Sequence, residues 1–251
     1  MKVDNNAAPV IRTSKTRKAY FIKLVLRCVI FVLCLLLVIF KPEELAILDG
    51  VGFFEDFSPL HVLWAIWIID MLLQLLPIKN SIPLGSQKHL KIRFKEIKEK
   101  INYKSLKEYV TSTTRAAYKV FILWVLLLAM LGALYYTGVI NNAWLFMISV
   151  AFYVCDLICV LIWCPFRLIM KNRCCTTCRI FNWDHLMMFT PMMFVWSFYS
   201  TSLLVMSLVA FAVWEFAVLI FPERFWERTN SSLKCSECTD KLCTHYCQKL
   251  R

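Results

Sequence analysis

Residues 186–221 read LMMFTPMMFVWSFYSTSLLVMSLVAFAVWEFAVLIF, and Glu215 is the one acidic or basic side chain in the run. As a single helix this stretch would extend roughly 54 Å at about 1.5 Å per residue. A bilayer's hydrocarbon core is about 30 Å thick, so the chain has to break inside the run. The polar cluster Ser197, Ser200, Thr201 and Ser202 is the natural place. It divides the stretch into a fifth helix over 181–198, which contains Pro191, and a sixth over 203–221. A fifth segment that re-enters instead of spanning is the alternative.

Four other apolar runs precede it, at 20–40, 59–77, 118–140 and 143–163, with Asn141 and Asn142 forming the turn between the last two. The first is too long for a signal-peptide core and lacks a small-x-small cleavage site. Hydrophobic residues make up 59% of the 251 and charged residues 18%. Ordinary globular chains carry about 45–50% and about 25%, so a soluble domain is excluded. The expected fold is all-α, a polytopic transmembrane helical bundle of six helices.

Charge orients it. Glu43, Glu44, Asp49, Glu55 and Asp56 face a single Lys41 in 41–58, and the two turns after the third and fifth helices carry no charge. Lys and Arg crowd the other connections, from Lys79 to Arg115, at Arg167, Lys171, Arg173 and Arg179, and from Arg224 to Arg251. The alternation has no exception, so both termini are expected in the cytoplasm of a plasma or inner membrane. The net charge of +12 is then a property of loops meeting anionic headgroups, and no nucleic-acid role follows from it. The segments read as a basic tail (1–19), hairpin 1 (20–77), a basic loop (78–117), hairpin 2 (118–163), a Cys-rich loop (164–180), hairpin 3 (181–221) and a Cys-rich tail (222–251). Leu90, Phe94, Ile97 and Ile101 fall on one face of an expected amphipathic helix in the basic loop. Such a helix suits the lipid surface or a membrane or cytoplasmic protein partner.

Eight of the twelve cysteines fall in the two Cys-rich segments: Cys164, Cys174, Cys175 and Cys178, then Cys235, Cys238, Cys243 and Cys247. A reducing compartment disfavours disulfides there, and thiolates spaced C-x2-C and C-x3-C suit a metal ion. His185 and His245 are further candidate ligands. Adjacent Cys174 and Cys175 do not easily point at one ion, so one of them is free to cross to the tail; loop and tail then share one composite site or hold two. Zinc in a structural cap comes first and an iron–sulfur cluster second. Met187, Met188, Met192 and Met193 read first as adaptable packing around Pro191 and second as thioethers for copper(I).

Arg27, Asp70, Asp156 and Glu215 interrupt the apolar runs, lying seven residues from Tyr20, Pro77, Trp163 and Pro222 at the cytoplasmic ends of their helices. That places all four roughly 10 Å deep. Charges there face the bundle interior and pair, and one cation against three carboxylates leaves room for a proton or a bound cation. Asp184 opens the fifth helix as a cap or first-turn residue. No catalytic motif is present. The sequence points to a metal-capped membrane protein in binding, transport or assembly. An iron–sulfur electron-transfer subunit, the one enzymatic reading (an oxidoreductase), and a copper transporter are the alternatives.

Overall fold

The computed structural model describes residues 14–76, 85–90, 93–97, 102–172, 174–238, 240 and 242. The regular secondary structure of these residues is helical, and they contain no strand. The α-helices are α1 (Lys15–Phe40), α2 (Pro59–Leu75), α3 (Gly85–His89), α4 (Tyr103–Tyr136), α5 (Asn142–Leu161), α6 (Phe166–Met170), α7 (Asp184–Phe189) and α8 (Phe198–Ile220). By length and composition α1, α4, α5 and α8 can cross a membrane. Apolar α2 has 17 residues, at the lower limit of the about 17–25 that span. Broad apolar faces stay uncovered on α1 (Phe21, Val25, Val32), α4 (Phe121, Leu126) and α8 (Val209, Phe216). A soluble protein would bury such surfaces; here they suit lipid.

A polar side chain caps the start of every long helix. Ser14, Ser58, Asn102, Asn141 and Ser197 each accept a backbone N–H from the first turn, which satisfies donors that the helix itself leaves open. At Ser58 the bond is reciprocal, because His61 Nδ1 accepts the Ser58 N–H at 3.1 Å. Asn102 starts α4 well before the expected residue 118, and Ser197 starts α8 at 198 instead of 203.

The fifth segment differs most from expectation. It comprises a 3-10 turn (Phe181–Trp183), α7, and a second 3-10 turn (Thr190–Phe194), in place of one helix over 181–198. Pro191 has no N–H to give and its ring opposes the preceding turn, so the α-helix stops at Phe189. Val195 is then extended. The segment begins beside the end of α2, where Gln74 Nε2 donates to Asp184 Oδ1 at 3.3 Å. It finishes at the opposite end of the bundle, where Gly50 N–H donates to the Trp196 carbonyl at 3.0 Å and Phe198 N–H to the Gly50 carbonyl at 3.2 Å.

The expected amphipathic helix over 90–101 does not form in its described part. Residues 93–97 are non-helical and pair with the tail: Ile97 N–H donates to Thr229 O (3.1 Å) and Ser231 N–H to Lys95 O (2.9 Å). Ile101 lies outside the described residues. Tertiary pairing has overridden a helical pattern at 93–97, which lies between α3 and α4.

α1 packs antiparallel along α5 and α2 packs along α8. Trp67, Phe146, Phe189 and Tyr199 centre one core cluster, and Trp124, Trp183, Trp214 and Phe225 belong to a second. At the end of the bundle that carries residue 14, the connecting segments pack on one another. Ser14 Oγ donates to the Asp240 carbonyl. Lys88 Nζ meets Asp240 Oδ2 at 2.7 Å with both side chains buried. Fully buried Asn230 donates to the Lys88 and Arg224 carbonyls at 2.9 and 2.8 Å.

A Cβ on Gly132 of α4 would stand 2.7 Å from the Phe194 ring. Gly132→Val should therefore cost about 1–3 kcal/mol through overpacking, read as a lower melting temperature in detergent. Adding Phe194→Ala should restore part of that loss.

Candidate functional site

Arg27 reaches from α1 into a polar cluster between helices. Its Nη1 donates to Asp156 Oδ2 on α5 at 2.7 Å and to the Tyr153 carbonyl at 2.7 Å. Its Nη2 donates to Asp70 Oδ2 on α2 at 3.1 Å. The guanidinium carbon lies 3.9 Å from the Tyr153 ring centroid, a cation–π contact that adds to the ion pairs. Charge-assisted bonds of this kind are the strong ones, and in an apolar surround the unpaired alternative is very costly. Three helices are thereby tied at one level.

Next to this clamp is a small cavity of about 30 Å³, enough for a water molecule or a small ion. Arg27, Lys23, Asp70, Asp156, Asp184 and His185 line it together with Tyr20 and Gln74. His185 is buried, not at the surface as its place in the sequence implied, and its Nδ1 lies 3.2 Å from Asp184 Oδ1. Asp184 sits in the first turn of α7, where the helix dipole favours a carboxylate. Three carboxyl groups, Asp70, Asp156 and Asp184, thus share the cavity with Arg27, Lys23 and His185.

Glu215 does not join this cluster. Arg179 holds it through two bonds, Nη1–Oε1 at 2.7 Å and Nη2–Oε2 at 2.5 Å, and Trp183 Nε1 donates to Oε1 at 2.8 Å. The single polar layer expected from residue counting is therefore two separate sites, each with its own arginine. Arg179 was read only as an orienting loop charge, and Lys23, Gln74 and Trp183 were not among the sequence candidates. The signal that could have found Arg179 was the charge balance itself, because three intramembrane carboxylates against one cation call for another cation nearby.

The loop cysteines gather along a larger cavity of about 390 Å³ bounded by α5, residues 164–180 and α7. Cys164, Cys174, Cys175 and Cys178 line it, and so do Cys155 and Cys159 from α5. Hydrogen bonds from the Cys159 and Cys175 thiols, with the Phe166 and Arg167 backbone, hold Cys164 well below the usual thiol range. Burial pushes Cys178 the other way, up to about 11. Both described C-x2-C pairs take the same shape: a 3-10 turn in which the second cysteine's N–H donates to the first's carbonyl, at 3.0 Å for Cys178 to Cys175 and 3.3 Å for Cys238 to Cys235. Cys235 and Cys238 do not line the cavity, and Cys243, Cys247 and His245 lie outside the described residues. Among the described residues no three His, Cys, Asp or Glu side chains converge as ligands of one ion. An iron–sulfur cluster's four thiolates therefore have no assembled set there.

Comparison with family models, curated proteins and solved structures finds no match for the chain.

Beneath the loops, His89 is fully buried, stacked on Phe225 at 4.8 Å and edge-on to Trp214 at 5.1 Å. Burial first, then the neighbouring Lys88 charge, lowers it from 6.5 to about 3. The unfolded chain takes up this proton near pH 6.5 and the folded chain does not. The stabilisation is therefore complete above about pH 6.5 and is lost as the pH falls toward 3, by about 1.4 kcal/mol per pH unit. His89→Phe should remove that part of the acid slope, measured as melting temperature against pH for both proteins.

Proposed function

We propose that the chain is a six-crossing membrane protein that couples protonation of a site in its inner half to binding or transport of a cation. The observation that carries this reading is the small cavity where His185 faces Asp70, Asp156, Asp184, Arg27 and Lys23. Histidine is the side chain whose ordinary range lies near neutral pH. One proton there changes the sign balance of the whole set. A protonated His185 leaves the carboxylates fully matched, and a neutral one leaves a charge that a cation can fill.

Six crossings are supported by the two ends of the fifth segment. Its Asp184 contact with Gln74 lies at one end of α2, and its Ser197 junction lies by Gly50 at the other. With basic connections on one side only, the termini belong in the cytoplasm. The tail cysteines Cys235, Cys238, Cys243 and Cys247 would hold zinc, a structural ion that closes the tail on itself. The tight turn at Cys235–Glu237 and the soft donor set fit that ion.

Reconstituted protein on a solid-supported membrane tests the coupling. A pH step should give a transient charge displacement in the wild type that disappears in His185→Gln and shrinks in Asp156→Asn. An undiminished signal in His185→Gln, or none in the wild type, would overturn the reading. In the same preparations the purified protein should carry about one zinc ion per chain, lost on Cys235→Ser with Cys238→Ser; retention of the zinc would remove the tail site.

A further inference from the structure

We infer that the larger cavity is a binding site for a soft monovalent metal ion, copper(I) or silver(I), held by Cys164 with one further lining thiol, Cys175 or Cys159, and flanked by the thioethers of Met187 and Met188. Six thiols and two thioethers line this one cavity, a concentration of sulfur that apolar packing does not require. Cys175 Sγ donates to the Cys159 carbonyl at 3.1 Å, and Cys164 lines the same cavity. The sulfurs gather along the cavity without three donors converging on a point. Zinc wants four ligands in a tetrahedron. A soft monovalent ion is content with few thiolates and accepts thioethers, so a sulfur-lined cavity without a converging set of four suits it.

The cavity also has a charge connection. Asp156 and Asp184 line both this cavity and the small one that holds His185. A cation entering among the sulfurs therefore meets the carboxylates whose balance the His185 proton sets. The inference names a cargo for the proton-linked reading and rests on it for that use, but the metal binding is testable without any transport.

The test uses the full chain, purified under reducing conditions, with Cys235, Cys238, Cys243 and Cys247 all changed to serine so that the tail cannot contribute. Copper(I) is titrated against a chromogenic chelator, and silver(I) is measured by elemental analysis. This protein should bind copper(I) and silver(I) and should not bind zinc at the same site. Adding Cys164→Ser should weaken binding by at least about 100-fold, the upper end of what a change in a supporting shell costs, whereas Cys28→Ser should leave it unchanged. If Cys164→Ser does not fold, alkylation of the wild-type protein decides. Silver(I) should slow modification of Cys164, and of Cys175 or Cys159, by at least about tenfold and leave Cys28 unprotected. Equal affinity with and without Cys164, zinc binding as tight as silver, or no protection of Cys164 would each overturn the site. A loss of pH-driven charge movement with intact silver binding would instead count against the coupling alone.

Discussion

A guanidinium buried among apolar helices has to be neutralised where it stands, and Arg27 meets that constraint by drawing three helices together. Asp70 comes from α2, Asp156 and the Tyr153 carbonyl from α5, and the arginine itself from α1. Removing one partner from such a set leaves an uncompensated charge, which costs several kcal/mol even after relaxation. The long contact between α1 and α5 and the small cavity beside it are both organised by this one group. Arg179 does the same work for the second core, where it fixes Glu215 of α8 against Trp183 just before α7.

The parts of the fold that depend on one segment's own chemistry were legible in the sequence. Run length marked the apolar helices to within a few residues at most ends, and Asn141 was recognisable as a turn. Arg27, Asp70 and Asp156 stood out because an ionisable residue in an apolar run has few reasons to be there. What could not be read was decided by distant partners. Residues 93–97 carry a helical pattern but lie along 229–231, because the backbone pairing there outweighs local preference. Lys88, His89 and Asn230 look like ordinary loop residues, yet they are buried through contacts across more than a hundred residues of chain. The count of cations failed for the same reason, since Arg179 belongs to a connecting loop by sequence and to the interior by structure.

The two cavities share a common logic. One is small and charged, the other large and lined with sulfur, and Asp156 and Asp184 belong to both. A broken fifth segment makes this arrangement feasible. Asp184, His185, Met187 and Met188 reach the two cavities from one short helix, α7, which stops at Phe189. After the break, the extended junction at Val195 and Ser197 joins the Gly50 turn.

The account stands or falls on the Arg27 clamp, and unfolding free energy in lipid bicelles measures it. Arg27→Met alone should lose about 3–5 kcal/mol, because two carboxylates are left buried without their cation. The same change made with Asp70→Asn and Asp156→Asn should recover most of that loss, since no charge is then stranded. If Arg27→Met unfolds like the wild type, or if the triple variant is as unstable as the single one, the clamp is not what holds α1, α2 and α5 together.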